Sequence, residues 1–452
     1  MNILIAGGGK VGSALTRHLS REDHDLTLID PSAAVLSRVT DSYDVMTLQG
    51  NCAAMDVLLQ ADVEKADLLI AATNADEVNL LSCMTAHRIN PRLHTIARIR
   101  NPEYTEQIVR MREAFALSLA VNPEKQAAEE ITRLLRYPGF LKRDSFAKGR
   151  VEIVELKVDA GGPLCGQRLM DLPSAIGCRV LVCAVVREGQ AIIPGGSFRL
   201  LAGDRIQVTA PGRQLSELLK KLGIITHKVE RVLIAGGGRV SFYLAESLAA
   251  AGIRATIIDV DEARCRELAE LLPDADLVCG DAGDQHFLEE EGLRNADALV
   301  TATGLDELNM ITSMYGHVIG VPHVITKLSH VEGSRVLDGL PLGSIICPKE
   351  LAAGTIVRYV RAMTNGNGSA VSVHFIADGL VEAIEFRLGA DAPCLGVPLR
   401  NVRLRKNVLV ASITRGLKSE IPGGDSAFAE GDTVVVVTDA DTEIRTFADI
   451  FA

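Results

Sequence analysis

The chain has 452 residues, too many for one ordinary hydrophobic core and enough for about two to four domains. Apolar residues make up 47%, ample for packed interiors. Its 58 acidic against 47 basic side chains leave a formal charge of −11, the wrong sign for a phosphate-backbone binder, and no long basic run or aromatic stripe offsets it. No segment reaches the ~20 apolar residues of a membrane helix. The nine cysteines are scattered without C-x-x-C or zinc spacing, as expected of thiols in a reducing compartment. Met1 leads straight into a strand-like run with no signal-peptide pattern, so the expectation is a cytoplasmic protein.

Short apolar runs of strand length follow one another: NILIAG from Asn2, DLTLID from Asp25, DVMTLQG from Asp44, DLLIAAT from Asp67, HTIARI from His94 and AFALSLAV from Ala114. Helical segments separate them. The helix after the first strand carries Val11, Leu15 and Leu19 at four-residue spacing, and in the helix predicted over 77–89, Leu80, Leu81, Met84 and Ile89 are expected to share one apolar face. Such alternation implies a parallel sheet covered on both sides. After Pro123, residues 124–137 read as a connector or dimer helix that stops at Pro138-Gly139. Residues from about 150 to 212 read as a small α/β module with hairpins, in which Pro194-Gly195 is expected to form a turn with positive φ at the glycine.

The pattern then repeats. Gly7 returns as Gly236 and Leu28-Ile29-Asp30 as Ile257-Ile258-Asp259; AATNADEVNLLS from Ala71 returns as TATGLDELNMIT from Thr301, and IPGG from Ile193 as IPGG from Ile421. A period of half the chain means tandem domains rather than a solenoid. The expected boundaries are 1–123 and 229–348 for two doubly wound, Rossmann-like domains, with 124–225 and 349–452 as the connector helix and small module that follow each.

Gly7-x-Gly9-x-x-Gly12 follows a strand and opens a helix, the context in which glycines let a backbone approach a pyrophosphate at a helix N-terminus. Asp30 ends the second strand at the right distance to accept hydrogen bonds from a ribose diol; the alternative is a helix N-cap ahead of Pro31. The second copy keeps Gly236, Gly237 and Gly238 but has Ser241 where the first has Gly12. A carboxylate at Asp30 and Asp259, with no Arg immediately after, favours NAD over NADP. Lys10 and Arg239 follow the loops as phosphate contacts or solvated cations. Arg98 and Lys327 end matching strands, either on the surface or facing the cleft. Thr73-Asn74 and Thr303-Gly304 end the fourth strands, where a cofactor sugar or nicotinamide would lie; strand-end capping is the alternative.

Catalytic groups are missing from this pattern. No tyrosine has a lysine four residues on, and there is no H-E-x-x-H, no G-x-S-x-G and no Walker lysine. His18, His24, His87, His94 and His286 fall in unmatched contexts in the two halves. Nucleotide binding without chemistry points to sensing, with an NAD-dependent oxidoreductase as the competing class.

The order of glycine loop, LID, QGN or CGD, AATNADEVN or TATGLDELN, IAR or ITK, NPEK or CPKE and a β-rich module ending in IPGG resembles the RCK (KTN) nucleotide-binding domain with its C-terminal module. Its doubling in one chain resembles the tandem RCK regulatory subunits of Trk potassium-uptake systems. The resemblance implies a cytoplasmic tetramer, since a ring has eight RCK units and this chain has two. The ring would lie against the inner face of the membrane on a potassium-translocating subunit of the TrkH/TrkG type, gating it on binding NAD or NADH, with ATP or ADP as alternatives. By position, Gly7, Gly8, Gly9, Lys10, Val11, Gly12, Asp30, Asn51, Thr73, Asn74 and Arg98 would line one site. Gly236, Gly237, Gly238, Arg239, Val240, Asp259, Asp281, Thr303 and Lys327 would line the other. In some relatives an acidic residue at the place of Glu124 joins a divalent-cation site. The second copy has Lys349 there, so no metal is assigned and Glu124 reads as a surface glutamate at a helix start.

Overall fold

The computed structural model describes the chain except at residues 23, 137–141, 148–149, 178, 211–214, 216, 219–220, 223–228, 331–336, 365–369, 417, 441, 443 and 445. It divides into two compact units, one of Met1–Arg133 with Val229–Val357 and one of Leu134–Lys228 with Arg358–Ala452.

The first unit is built on two parallel six-stranded sheets of the same topology. In the first, strands β1 (Asn2–Ala6), β2 (Asp25–Asp30), β3 (Met46–Gln49), β4 (Leu68–Ala71), β5 (His94–Arg98) and β6 (Leu119–Val121) lie in the order β3-β2-β1-β4-β5-β6. The order reverses between β1 and β4, and a doubly wound sheet binds its ligand at such a switch point. Central β1 and β4 are covered on both faces, and their near-continuous apolar sequences follow from that: Ile3, Ile5, Leu68, Leu69 and Ile70 are fully buried. Edge strand β3 is largely exposed. The expected strand AFALSLAV shrinks to the three residues of β6.

The helix after β1 spans Lys10–Leu19 and buries Val11, Leu15 and Leu19 against the sheet, as their spacing predicts. The helix expected over 77–89 spans Asp76–Ile89, but its apolar face is not the expected one. Leu81 and Met84 are exposed, while Asp76, Asn79, Ser82, Cys83 and Ala86 are buried. Small side chains bring this helix close to the sheet, and the polar ones bond to groups at the strand ends (below), so apolar periodicity misplaces the buried stripe.

The second sheet repeats the first with strands Ala275–Cys279, Arg254–Asp259, Arg231–Ala235, Ala298–Thr301, His323–Lys327 and Ser344–Ile346 in spatial order. Two helices that follow the last strand of each sheet, Pro123–Arg136 and Pro348–Thr364, contact one another. Gln126 Nε2 donates to Thr355 Oγ1 at 3.2 Å, and Ala127, Ala128, Ile131, Ala352, Ala353 and Ile356 are buried. Tyr243 of the second half donates its hydroxyl to the Arg100 carbonyl at 3.1 Å and accepts from Asn122 Nδ2 at 3.0 Å. Arg17 Nη2 of the first half sits 2.8 Å from both carboxylate oxygens of Glu350, with His18 Nε2 3.0 Å from one of them.

The second unit holds two antiparallel five-stranded sheets, one within residues 142–209 and one within 370–439. They share a core of Phe146, Ala184, Val186, Ile376, Ala383, Val435 and Val437. His374 Nδ1 lies 2.9 Å from Asp144 Oδ1. The expected positive-φ turn at Pro194-Gly195 is absent. The hairpin joining Leu181–Arg187 to Gln190–Ile192 turns instead on Glu188 (φ +53°) and Gly189 (φ +77°), because two adjacent residues in the left-handed region match the strand twist.

Burial pushes the Glu350 carboxyl up, but the His18 hydrogen bond and the charges of Arg17, His18 and Lys349 more than offset this and hold it below the usual glutamate range. A carboxyl lowered in the folded state contributes stability that is fully present above its unfolded value and is lost as pH falls through the folded one. Glu350→Gln is therefore expected to cost about 1–3 kcal/mol at pH 7. Urea unfolding at decreasing pH is expected to show that cost shrinking once the pH passes below the ordinary carboxylate range.

Candidate functional site: two glycine loops at the sheet switch points

Gly7 leaves β1 at φ +97°, and a Cβ there would meet the Thr73 amide nitrogen at 2.9 Å. The loop is thus pressed against the end of β4, and only glycine fits. At Gly12 a Cβ would lie 1.8 Å from the Gly7 carbonyl oxygen, whereas Gly9 faces open space. Gly9 caps the helix without a side chain, so its first-turn amides are held by no capping group and carry the positive end of the helix dipole.

Asp30 closes this loop from the side. Gly8 N donates to Asp30 Oδ2 at 2.7 Å and Ser32 N to Oδ1 at 2.8 Å. The second half repeats both bonds: Gly237 N to Asp259 Oδ2 at 2.5 Å and Asp261 N to Oδ1 at 2.9 Å. Neither aspartate is the N-cap of the next helix; Ser32 and Asp261 hold those places, which removes the bare capping alternative. Each half-buried carboxylate oxygen keeps a lone pair beyond the backbone bond it accepts.

Ser241, in the place of Gly12, is fully buried and donates to the Gly236 carbonyl at 2.5 Å. The first loop has no room for a Cβ at this point, so the second has opened enough to admit one and uses the hydroxyl to tie helix to loop. A second asymmetry is not visible in sequence spacing: Arg264 Nε donates to the Gly237 carbonyl at 2.8 Å, where the first half has Val35 beside Gly8. The second loop therefore has a guanidinium five residues beyond its strand-end acid.

Across the switch point, Arg98 is buried and donates through Nη2 to the Thr73 carbonyl at 2.6 Å and to Asn74 Oδ1 at 3.3 Å. Burial above all lowers its pKa, to about 10; the charges of Arg100 and Arg239 add to the fall, while Glu124 and Asp76 pull the other way. Lys327 repeats the bond, Nζ to the Thr303 carbonyl at 2.6 Å, and burial lowers it too, with Lys10 adding to the fall and Asp306 and Glu124 opposing it. Arg98 is thus buried and Lys327 half-buried, and neither is a freely solvated surface charge. Lys10 and Arg239 are exposed at the helix starts. Asn51 and Asp281 are exposed and accept from the amides of Ala53 and Gly283 at 3.0 and 2.7 Å. Val11 and Val240 pack inward beneath their loops. Glu124 departs from the surface reading: it is half-buried, its Oε2 is enclosed without a hydrogen bond among the described residues, and its charge reaches both Arg98 and Lys327.

Four residues given no role in the sequence hold this frame. Asn79 Oδ1 accepts from the Thr73 amide at 2.8 Å and from Thr73 Oγ1 at 2.7 Å, and its Nδ2 donates to the carbonyls of Thr73 and Arg98. Asn309 does the same for Thr303 and Lys327. Asp76 accepts from the amides of Arg100 and Asn101, and Asp306 from Ser329 and His330. Their signal is their recurrence in both copies. The histidines need a correction as well: His87 and His317 take matched places near the ends of matched helices, and His94 and His323 open matched strands. Those strand starts lie opposite the glycine loops, so the pairs build no duplicated catalytic site.

A parallel sheet with a glycine loop and a strand-end carboxylate at its switch point is a Rossmann-like arrangement, the fold on which RCK domains are built, and it is present here twice. Residues 3–123 and 232–348 match the TrkA-N domain, and 153–223 and 383–452 match the TrkA-C domain. The chain is 31% identical over 459 residues to the Trk system potassium uptake protein TrkA of Halomonas elongata, covering 100% of this chain and 98% of that one. It is 30% identical over 452 residues to a TrkA homolog of Archaeoglobus fulgidus, covering all of both. The RCK domain of GsuK shares the fold, with a TM-score of 0.64 at 18% identity over 97% of this chain and 92% of that one. The chain belongs to the TrkA family. Membership gives it a regulatory role in potassium transport and sets the oxidoreductase alternative aside, since this is not a family of enzymes. No helix among the described residues is long and apolar enough to cross a membrane.

Asn79 is fully buried and serves four backbone and side-chain partners, so Asn79→Ala leaves several of them unpaired. A loss of about 2–3 kcal/mol is expected in denaturant unfolding, and an equal loss for Asn309→Ala would confirm that the two frames are equivalent.

Proposed function

We propose that the chain is the cytosolic regulatory subunit of a Trk-type potassium uptake system, binding NAD or NADH in two unequal sites and gating a membrane potassium-translocating subunit of the TrkH/TrkG type. The observation that carries this reading is the twice-repeated union of an open glycine loop with a strand-end carboxylate, Gly8 N on Asp30 and Gly237 N on Asp259. A pyrophosphate would take the loop amides, and a ribose diol the outward lone pairs of the carboxylates. Lys10 and Arg239 would meet phosphate, and Thr73, Asn74 and Thr303 the far end of the ligand, with Arg98 and Lys327 fixed behind them. Asn51 and Asp281 would flank the ribose. The fold-level relative GsuK has been solved bound to NAD and bound to ADP, which supports a nucleotide ligand and keeps ADP and ATP as competitors.

The subunit would act as a homotetramer of tandem units, peripheral to the inner face of the membrane through its partner. Its functional divisions would be 1–123, 124–225, 229–348 and 349–452. A nucleotide shifts such a ring only by its differential affinity for two ring shapes. Moving a gate from 1:99 to 99:1 takes about 5.5 kcal/mol, a little over ~1 kcal/mol for each of four chains, within reach of one phosphate or ribose contact.

Calorimetric titration with NAD, NADH, ADP and ATP tests the binding claim. Two sites of different affinity are expected, the first half being the tighter because its loop is the unmodified one. Asp30→Asn is expected to weaken that site by about 1–3 kcal/mol while leaving the other unchanged. Two identical sites, or none for any of the four nucleotides, would contradict the proposal.

A further inference from the structure

The two halves of the first unit meet about an approximate two-fold relation. Gln126 of one terminal helix meets Thr355 of the other, Lys10 acts on Lys327 and Arg239 acts on Arg98, so matched positions cross in both directions. At one pair of positions that relation is kept in place but reversed in charge. Arg17, on the helix after the first glycine loop, grips Glu350 at the start of the terminal helix of the second half. Aligning Gly7 with Gly236 makes Glu246 the counterpart of Arg17, and aligning Pro123 with Pro348 makes Lys125 the counterpart of Glu350. Lys125 in turn is the charge that acts on Glu246, at longer range than an ion pair: partial burial raises the Glu246 carboxyl, and the Lys125 ammonium partly offsets this. Glu246 retains solvent contact, so this second pair is the weaker one.

Two like halves docked in the same way would bring Arg17, with His18 beside it, against Lys125, or Glu246 against Glu350. Each clash would occur twice across the dyad. A second difference acts in the same direction. Tyr243, whose hydroxyl bonds Asn122 and the Arg100 carbonyl, has Ala14 as its counterpart, and two first halves together would lack that ring and hydroxyl altogether. We propose that the reversed pairs Arg17–Glu350 and Lys125–Glu246 are specificity determinants that make unlike halves dock and keep like halves of different chains apart. In an assembly built from many similar units, this would fix which surfaces close on each other.

The reversal allows a test that separates selection from simple attraction. R17E/E350R exchanges the two charges of the first pair and leaves Lys125–Glu246 as it is, so the unlike pairing keeps opposite charges at both places. The like pairings, however, become attractive as well. K125E/E246K does the same from the more exposed side. Thr355 has Glu130 as its counterpart, so in a pairing of two first halves a cysteine replacing Gln126 of one chain would face a cysteine replacing Glu130 of the other. The full-length chain carrying Q126C/E130C is oxidised and run on non-reducing gels, beside the same backgrounds without the reporter cysteines.

Chain-to-chain cross-links above that control are expected to be scarce with the native charges and to rise roughly tenfold or more in both swapped backgrounds. Circular dichroism and melting are expected to remain those of a folded protein. If R17E/E350R fails to fold, K125E/E246K decides. Cross-linking yields that are the same in native and swapped backgrounds would overturn the proposal.

Discussion

The structure turns on how closely each glycine loop approaches the end of the neighbouring strand. Gly7 and Gly236 are held at positive φ with no space for a Cβ, their would-be side chains running into the backbone at Thr73 and Thr303. This contact places the loop amides beside the strand-end aspartate on one side and the threonine carbonyl on the other. The carbonyl is in turn fixed by a cation, the buried Arg98 or the half-buried Lys327, and by the amide of Asn79 or Asn309. A buried cation in such a place costs desolvation, which is why both side chains are lowered. The neighbouring charges of Arg100, Arg239 and Lys10 add to that fall, and an anion at the loop would offset their share.

The two copies keep this frame and differ around it. Ser241 for Gly12 and Arg264 for Val35 alter the second loop, while the strand-end acids, asparagines and threonines are retained. Duplication followed by divergence of the loop surroundings is the simplest route to two loops with one frame and different neighbours. The same divergence at the interface gave Arg17 and Glu246 opposite signs.

Much of the first unit is legible in the sequence because parallel strands buried on both faces leave uninterrupted apolar runs, and because a glycine needed for backbone approach has few substitutes. NILIA and LLIA mark the central strands in this way. The polar frame is less legible. Asn79 and Asp76 lie on a helix whose exposed Leu81 and Met84 outrank them in any apolar count, and their burial depends on strand ends about twenty residues further along the chain. Pro194-Gly195 outweighs the true positive-φ hairpin at Glu188-Gly189 in the sequence because proline and glycine mark a turn without fixing which strands it joins. Glu124 reads as a surface residue there because Lys327, whose charge it meets in the fold, lies about two hundred residues away along the chain.

The central claim, that nucleotide at these loops controls potassium movement through a partner, is tested most directly by rubidium flux. The chain would be reconstituted in liposomes with its membrane subunit, and flux recorded before and after adding NAD, NADH, ADP or ATP. At least one nucleotide is predicted to change the flux severalfold, and the change should vanish when Lys10 is replaced by alanine even though the complex still co-purifies. Flux that is indifferent to every nucleotide, with the complex intact, would contradict the account.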